Sequence, residues 1–327
     1  MDVRLLTRDG VELRRVDELP DLLKRDDGLV WVDIPSCDES AVRVLAEDFG
    51  FHPLAVRNCV ERNQMPRMHP YPDHVLVIMH TPERGKAGHI HFVELDQFIG
   101  PGYLVTVHGP VNPAVNPQVM LRETSAVLRR VEAGKLRPTT SFELSYAISA
   151  AVARYQESFV EVLTRDVWQL EQRVTSGHMG DPEQFLEEMF RSRHGLLAVR
   201  TMAALIREAY GRMAALGRGV PPEAQPLLAD IVDQFTRVCS VADGQREYLQ
   251  GVIDFYRART ETKMTIAAER LAVIAVVTLP ITALSSVYGM NIIVNERTDF
   301  AHLAVVLTIM AIISGTLLTW AKRQGWW

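Results

Sequence analysis

The chain has 327 residues, 47% of them hydrophobic and 23% charged, with a formal net charge of −5. This length allows two bodies of ordinary domain size, or one body with an extended element. The mildly acidic balance argues against a nucleic-acid partner and suits a surface that gathers cations.

The first 15 residues, MDVRLLTRDGVELRR, contain no apolar run of signal-peptide length, so the large N-terminal part is expected to stay in the cytoplasm. Residues 1–112 read as an α/β domain. Strands are predicted at 2–6, 29–34, 75–79, 90–98 and 103–107, and helices at 40–49 and 52–61, with Gly, Pro and Asp clustered between them. Cys37, Cys59 and Cys239 are widely spaced and unpatterned, as expected of neutral thiols in a reducing compartment.

Helical periodicity then takes over. Residues 113–221 are predicted to form a helical hairpin, with helices at 117–133, 142–175 and from 182 to about 216. Asp181, Pro182 and Gln184 supply an N-cap, an N1 proline and an N3 residue able to close a capping box. A stalk helix is predicted over 222–270. Leu228, Ile231, Phe235, Val238, Ala242, Gln245, Leu249, Val252 and Tyr256 follow one another in steps of three and four, which is heptad spacing. No proline interrupts the chain between Pro226 and Pro280. Continued into the next segment, such a helix spans about 100 Å at 1.5 Å per residue and needs neighbours along its length. The competing reading is two helices with a kink at Gly244 or Gly251.

Residues 271–294 carry no ionisable side chain apart from Tyr288, and a second apolar run fills 303–320. Each is near the length that crosses a bilayer, so the C-terminal part is predicted to be a two-helix membrane hairpin: 271–291, an external loop 292–302, 303–320 and a cytoplasmic tail 321–327. Arg257, Arg259, Lys263, Arg270, Lys322 and Arg323 flank the spans on one side, while the loop holds Glu296, Arg297 and Asp299. This places both termini in the cytoplasm and the chain in the cell (inner or plasma) membrane.

In the first span, Thr265, Ala268, Ala272, Ala275, Leu279, Thr282 and Ser286 share a face, and Pro280 frees a backbone carbonyl. Small and hydroxylated side chains suit close helix packing or a narrow wet path. Two spans cannot enclose such a path, so a pore requires several subunits. At the span's exit stands Gly289-Met290-Asn291. A ring of Asn291 carboxamides offers neutral oxygen acceptors to a hydrated divalent ion, Gly289 permits a backbone turn, and Met290 packs. The spans lack the His and Cys ligands of a dedicated zinc or copper path.

These features resemble the CorA-type magnesium and cobalt transporters. The resemblance rests on YGMN (288–291) at the end of a first span, followed by a short loop and a second span. It extends to LPITALSSVYGMN (279–291), to FGFHPLAVRNCVERNQMPRMHPYPDHVLVIMH (49–80) and to FIGPGYLVTVH (98–108). The resemblance implies a homopentameric funnel that passes Mg2+ (also Co2+) passively, with Mg2+ as transported and regulatory ion and no other cofactor. It assigns selectivity to Gly289, Met290, Asn291 and Thr282, and the inner pore or gate to Asp254, Thr265, Ala268 and Leu271. Asp230 is implied as an intersubunit metal-sensing acid, with Glu83 as its nearest candidate partner. One departure stands out. Where the family carries an MK-x-LT run, this chain reads Ala268-Glu269-Arg270-Leu271-Ala272, and a family Asn is Thr265.

Two other readings stay open. A transporter of the same fold could move Zn2+, Co2+ or Ni2+, and His89 and His91, alternating on one strand, could sense a softer metal. A membrane-anchored, non-conducting regulatory protein is the other. No nucleotide loop, HExxH or nucleophile elbow supports an enzyme.

Overall fold

Near-continuous apolar runs, buried on both faces, make the central strands, and the computed structural model assembles these into one sheet flanked by helices. Residues 1–86, 88–177, 180–216, 219–289 and 300–323 are described. They divide into two units, Met1–Val252 and Ile253–Trp327.

In the first unit the strands are β1 (Asp2–Thr7), β2 (Gly10–Arg14), β3 (Leu29–Ile34), β4 (Arg67–Pro70), β5 (Val75–Arg84), β6 (Ile90–Gly100) and β7 (Tyr103–Val107). Their spatial order is β2-β1-β3-β7-β6-β5-β4. Only β3 and β7 pair in parallel; the other neighbours are antiparallel. The β6–β7 hairpin turns on Pro101-Gly102, where Gly102 takes φ +72°, and Gly100 lacks the Cβ that would collide with the Tyr103 ring.

One face of the sheet is covered by α1 (Leu19–Leu22), α2 (Glu39–Arg43) with a single wider π turn at Val44–Asp48, and α3 (Pro53–Val60). Val30, Val32, Val105, Phe98 and Ile78 pack there with Leu45, Phe51 and Val56. The sequence predicts His52 inside this helix; instead it caps α3 from outside, its Nδ1 accepting from Leu54 N at 3.1 Å. The opposite face receives α6 (Ser141–Ser176) and α7 (Pro182–Leu216), after the short α4 (Pro117–Met120) and α5 (Arg122–Glu132). The single helix predicted for 117–133 is broken at Leu121, whose φ −94°, ψ 7° leaves the helical range.

Local signals explain the long helices. Thr140 and Glu143 form a reciprocal capping box at the start of α6. At α7, Asp181 accepts from Glu183 N at 3.0 Å, and Gln184 sits on the helix's first turn. Its amide donates to Glu188 one turn on, at 3.1 Å. The final helix of this region, α8 (Gln225–Gly289), is continuous through Gly244, Gly251 and Pro280. Its Leu228, Ile231, Phe235, Val238, Ala242 and Leu249 are buried, as the three-four spacing predicted. Contacts to α6 and α7 fix this stretch: Tyr146 to Asp230, Arg200 to Asp243, and Gln225 to the Ala214 carbonyl.

Polar chains cross the core. Trp31 Nε1 donates to Thr106 Oγ1 at 3.1 Å, and Thr106 donates to Asp33, which also meets His108 Nε2 at 2.9 Å. On the other face, buried Glu94 accepts from Asn63 N at 2.8 Å and Asn63 Nδ2 at 2.6 Å. Burial raises the Glu94 carboxyl from about 4.5 to about 7, and burial likewise pushes its neighbour Asp96 well up. A carboxyl raised on folding contributes stability below its ordinary range and loses it as pH rises through about 7. Burial lowers nearby His80 to about 4, so its contribution is present above the ordinary histidine range and lost on acidification. Comparing Glu94→Gln with wild type isolates the first effect. The variant should gain relative stability between about pH 5 and 8, by up to about 3 kcal/mol. The unfolding temperature of both proteins across that range is the check; a constant difference would contradict the assignment.

Candidate functional site

The second unit is built from the end of α8 and from α9 (Phe300–Arg323). Both carry an 18-residue window apolar enough to cross a membrane, with mean hydropathy 1.9 in Pro222–Val287 and 2.1 in Leu303–Arg323. Neither window is buried within the chain. Leu271, Ile274, Leu279, Leu307 and Ile312 are exposed, a surface that water does not tolerate over such an area and that lipid or other helices would cover.

Hydroxyls on this stretch of α8 bond back along their own helix. Thr265 donates to the Glu261 carbonyl at 3.0 Å, Thr278 to Ile274 at 2.8 Å and Thr282 to Thr278 at 2.8 Å. This satisfies each hydroxyl proton and leaves oxygen lone pairs to accept from water. Pro280 lacks the N–H that would bond Val276, so that carbonyl has no helical donor at midspan. Ala268 and Leu271 are exposed, and Asp254 stands on the same helix near the start of the second unit. α8 is described as far as Gly289. Met290 and Asn291, with the loop residues Glu296, Arg297 and Asp299, lie outside the described residues.

The two acids assigned to metal sensing sit in the first unit. Asp230 is exposed on α8 and accepts from Tyr146 Oη at 2.7 Å and Gln234 Nε2 at 2.5 Å; the Tyr146 bond is the main cause holding its carboxyl below the usual range. Glu83, on β5, accepts from Arg122 Nη1 at 3.1 Å and Tyr155 Oη at 3.0 Å. Arg122 lies 3.2 Å over the Tyr155 ring centre and also donates to buried Glu123 at 2.9 Å. Glu83 therefore already has a cation beside it. Asp230 and Glu83 meet the same helix nine residues apart, at Tyr146 and Tyr155, a separation of about 13 Å along its axis. The chain does not bring them together within one protomer. Among the described residues, no group of three or more His, Cys, Asp and Glu is arranged to hold a metal ion. Arg122, Tyr146 and Tyr155 carry no local sequence signal; each acquires its role only by docking.

Comparison with known proteins agrees with this architecture. The profile of the CorA-like Mg2+ transporter protein family matches residues 26–323. The cobalt/magnesium transport protein CorA of Thermotoga maritima is 22% identical over 307 residues, covering 90% of this chain and 83% of its own length. The complete CorA magnesium transporter of Methanocaldococcus jannaschii superimposes with a TM-score of 0.81 at 15% identity, over 100% of this chain and 99% of that one. The ZntB cytoplasmic domain of Vibrio parahaemolyticus aligns with a TM-score of 0.61 at 9% identity, over 80% of this chain and 98% of that domain. With the family profile covering nearly its whole length, the chain belongs to the CorA-like Mg2+ transporter family, a family of membrane transporters and not of enzymes.

Proposed function

We propose that the chain is one subunit of a homopentameric pore that admits Mg2+, and also Co2+, passively. In this reading α8 lines the path, α9 faces lipid, and both termini lie in the cytoplasm. The observation that carries it is the apolar end of α8: it holds a span long enough to cross a bilayer, it is described as far as Gly289, and in the sequence Met290 and Asn291 follow. Five Asn291 carboxamides would meet the ion's water shell, which a neutral oxygen ring holds without the desolvation cost of buried carboxylates. Thr282 would offer its free lone pairs further in, and Thr265, Ala268 and Leu271 would line the inner end with Asp254 beyond.

Gating follows from Asp230. A divalent ion held between Asp230 and an acid of the adjacent subunit favours a closed arrangement at high internal Mg2+; its loss leaves like charges facing and shifts the population towards open. Glu83 can take part only by sharing its carboxylate with Arg122.

The likeness to the ZntB domain supports a second reading, a zinc, cobalt or nickel path on the same fold. Flux into liposomes holding the purified chain tests both. Mg2+ entry, competed by Co2+, is expected. Zn2+ entry insensitive to excess Mg2+ would favour the second reading, and no flux of either ion would leave a non-conducting anchor. A strictly monomeric mass in detergent would remove the pore altogether.

A further inference from the structure

The tip of the β5–β6 hairpin holds an arrangement that ion conduction does not use. His89 and His91, two residues apart, bring their Nε2 atoms to 2.9 Å, with ring centres 4.3 Å apart and planes at 81°. Both side chains reach solvent. Below them lies Gly85, whose amide donates to the His89 carbonyl at 2.8 Å. A Cβ at Gly85 would fall 2.6 Å from His89 Cε1 and Nε2 and 2.8 Å from His91 Nε2. The glycine thus provides the space in which the two rings converge.

We propose that His89 and His91 form a two-imidazole chelate for a borderline divalent transition ion such as Ni2+, Co2+ or Zn2+, with water completing the coordination. Two nitrogens bound at right angles and about 2.1 Å from one metal stand about 3.0 Å apart, and a tetrahedral pair about 3.4 Å apart. The observed 2.9 Å is close to the first and about 0.5 Å short of the second, so the rings need only turn from facing each other to facing a shared ion. In the metal-free pair one Nε2–H donates to the other Nε2. Binding requires both rings in the Nδ1–H form, so that proton moves through solvent to the donor ring's own Nδ1. A neutral pair then loses no proton, while a singly protonated pair releases one.

Mg2+ is a poor fit. It calls for oxygen ligands and sheds water reluctantly. The carboxylate facing His91 across the strand pair is Glu83, which is engaged by Arg122 and Tyr155. The hairpin tip is also docked. Arg84 bonds Asp166 of α6 at 2.6 Å, and a Cβ at Gly88 would fall 2.7 Å from Arg191 Cδ of α7. A metal ion here would therefore add a clamp beside a contact between the sheet and the long helices. This site stands apart from the transport reading, since it concerns binding and not passage.

The test is calorimetric titration of the full chain in detergent with Ni2+, in a large excess of Mg2+ to occupy oxygen sites. Wild type is expected to bind one more Ni2+ per chain than the double variant His89→Ala/His91→Ala. Gly85→Ala keeps both histidines but fills their space, and is expected to weaken that site by about ten-fold or more. Equal Ni2+ stoichiometry in wild type and double variant would overturn the proposal. So would displacement of the Ni2+ by Mg2+, or an unchanged affinity in Gly85→Ala.

Discussion

Replacing Asn291 with alanine is expected to abolish the growth that the wild-type chain gives to a magnesium-uptake-deficient strain at low external Mg2+. The losses add around the ring. In the proposed pentamer each lost carboxamide would remove a hydrogen bond of about 1 kcal/mol to the ion's water shell, and a five-fold ring would lose five at once. Even partial addition lowers ion occupancy at the mouth by on the order of a hundred-fold. Small hydrophobic side chains in their place leave the hydrated ion facing a surface that offers it nothing. Membrane abundance of the variant, measured alongside growth, separates this effect from poor insertion. If Asn291→Ala reaches the membrane and supports wild-type growth, Asn291 does not bind the ion.

Arg122→Met is expected to produce the largest loss of stability among single changes in the polar contacts of the first unit. The guanidinium serves Glu83, buried Glu123 and the Tyr155 ring together. Methionine fills similar volume but leaves two carboxylates near each other without their cation. Removing one partner of a buried pair costs about 3–5 kcal/mol, and the partial exposure of Arg122 and Glu83 brings this to about 2–4 kcal/mol. For a unit of this size that lowers the unfolding temperature by about 5–15 °C. Glu83→Gln in the same chain should recover part of the loss by removing one stranded charge; a drop no larger than that of a surface substitution would contradict the account. Glu83→Gln alone also bears on regulation. If Mg2+ raises the unfolding temperature of this variant and of wild type by the same amount, Glu83 serves Arg122 and not the metal.

Long-range docking marks where sequence reading ends. Heptad steps from Leu228 to Val252 made the stalk legible, because a helix with one buried stripe must repeat its apolar residues every three or four positions. The apolar stretch at the end of α8 was legible for a similar reason: a long run without charges is a local signal. Strands β2 and β4 were not. Both lie at sheet edges, where one side of the strand has no neighbour and β2 is largely exposed, so neither shows the alternation of a half-buried strand. β5 runs to Arg84, five residues past its predicted end, through Pro82. β4 pairs it only as far as Ile78, and beyond that point β5 is itself an edge that tolerates a missing N–H. The polar cluster on Glu83 was invisible for a different reason. Arg122 and Tyr155 lie 39 and 72 residues away in the chain, and no periodicity connects them.

The parallel pairing of β3 with β7 carries a consequence for biosynthesis. Val30 lies beside Tyr103, and Ile34 beside Val107, so the middle of the sheet stays open until a ribosome has released some 107 residues. The β5–β6 hairpin closes within its own sequence and can form earlier. The nascent chain thus holds β1, β2 and β3 as a separate piece with an unpaired edge for several seconds at ordinary elongation rates of about 5–20 residues per second. During that interval the exposed edge of β3 is the part of the chain most in need of a chaperone.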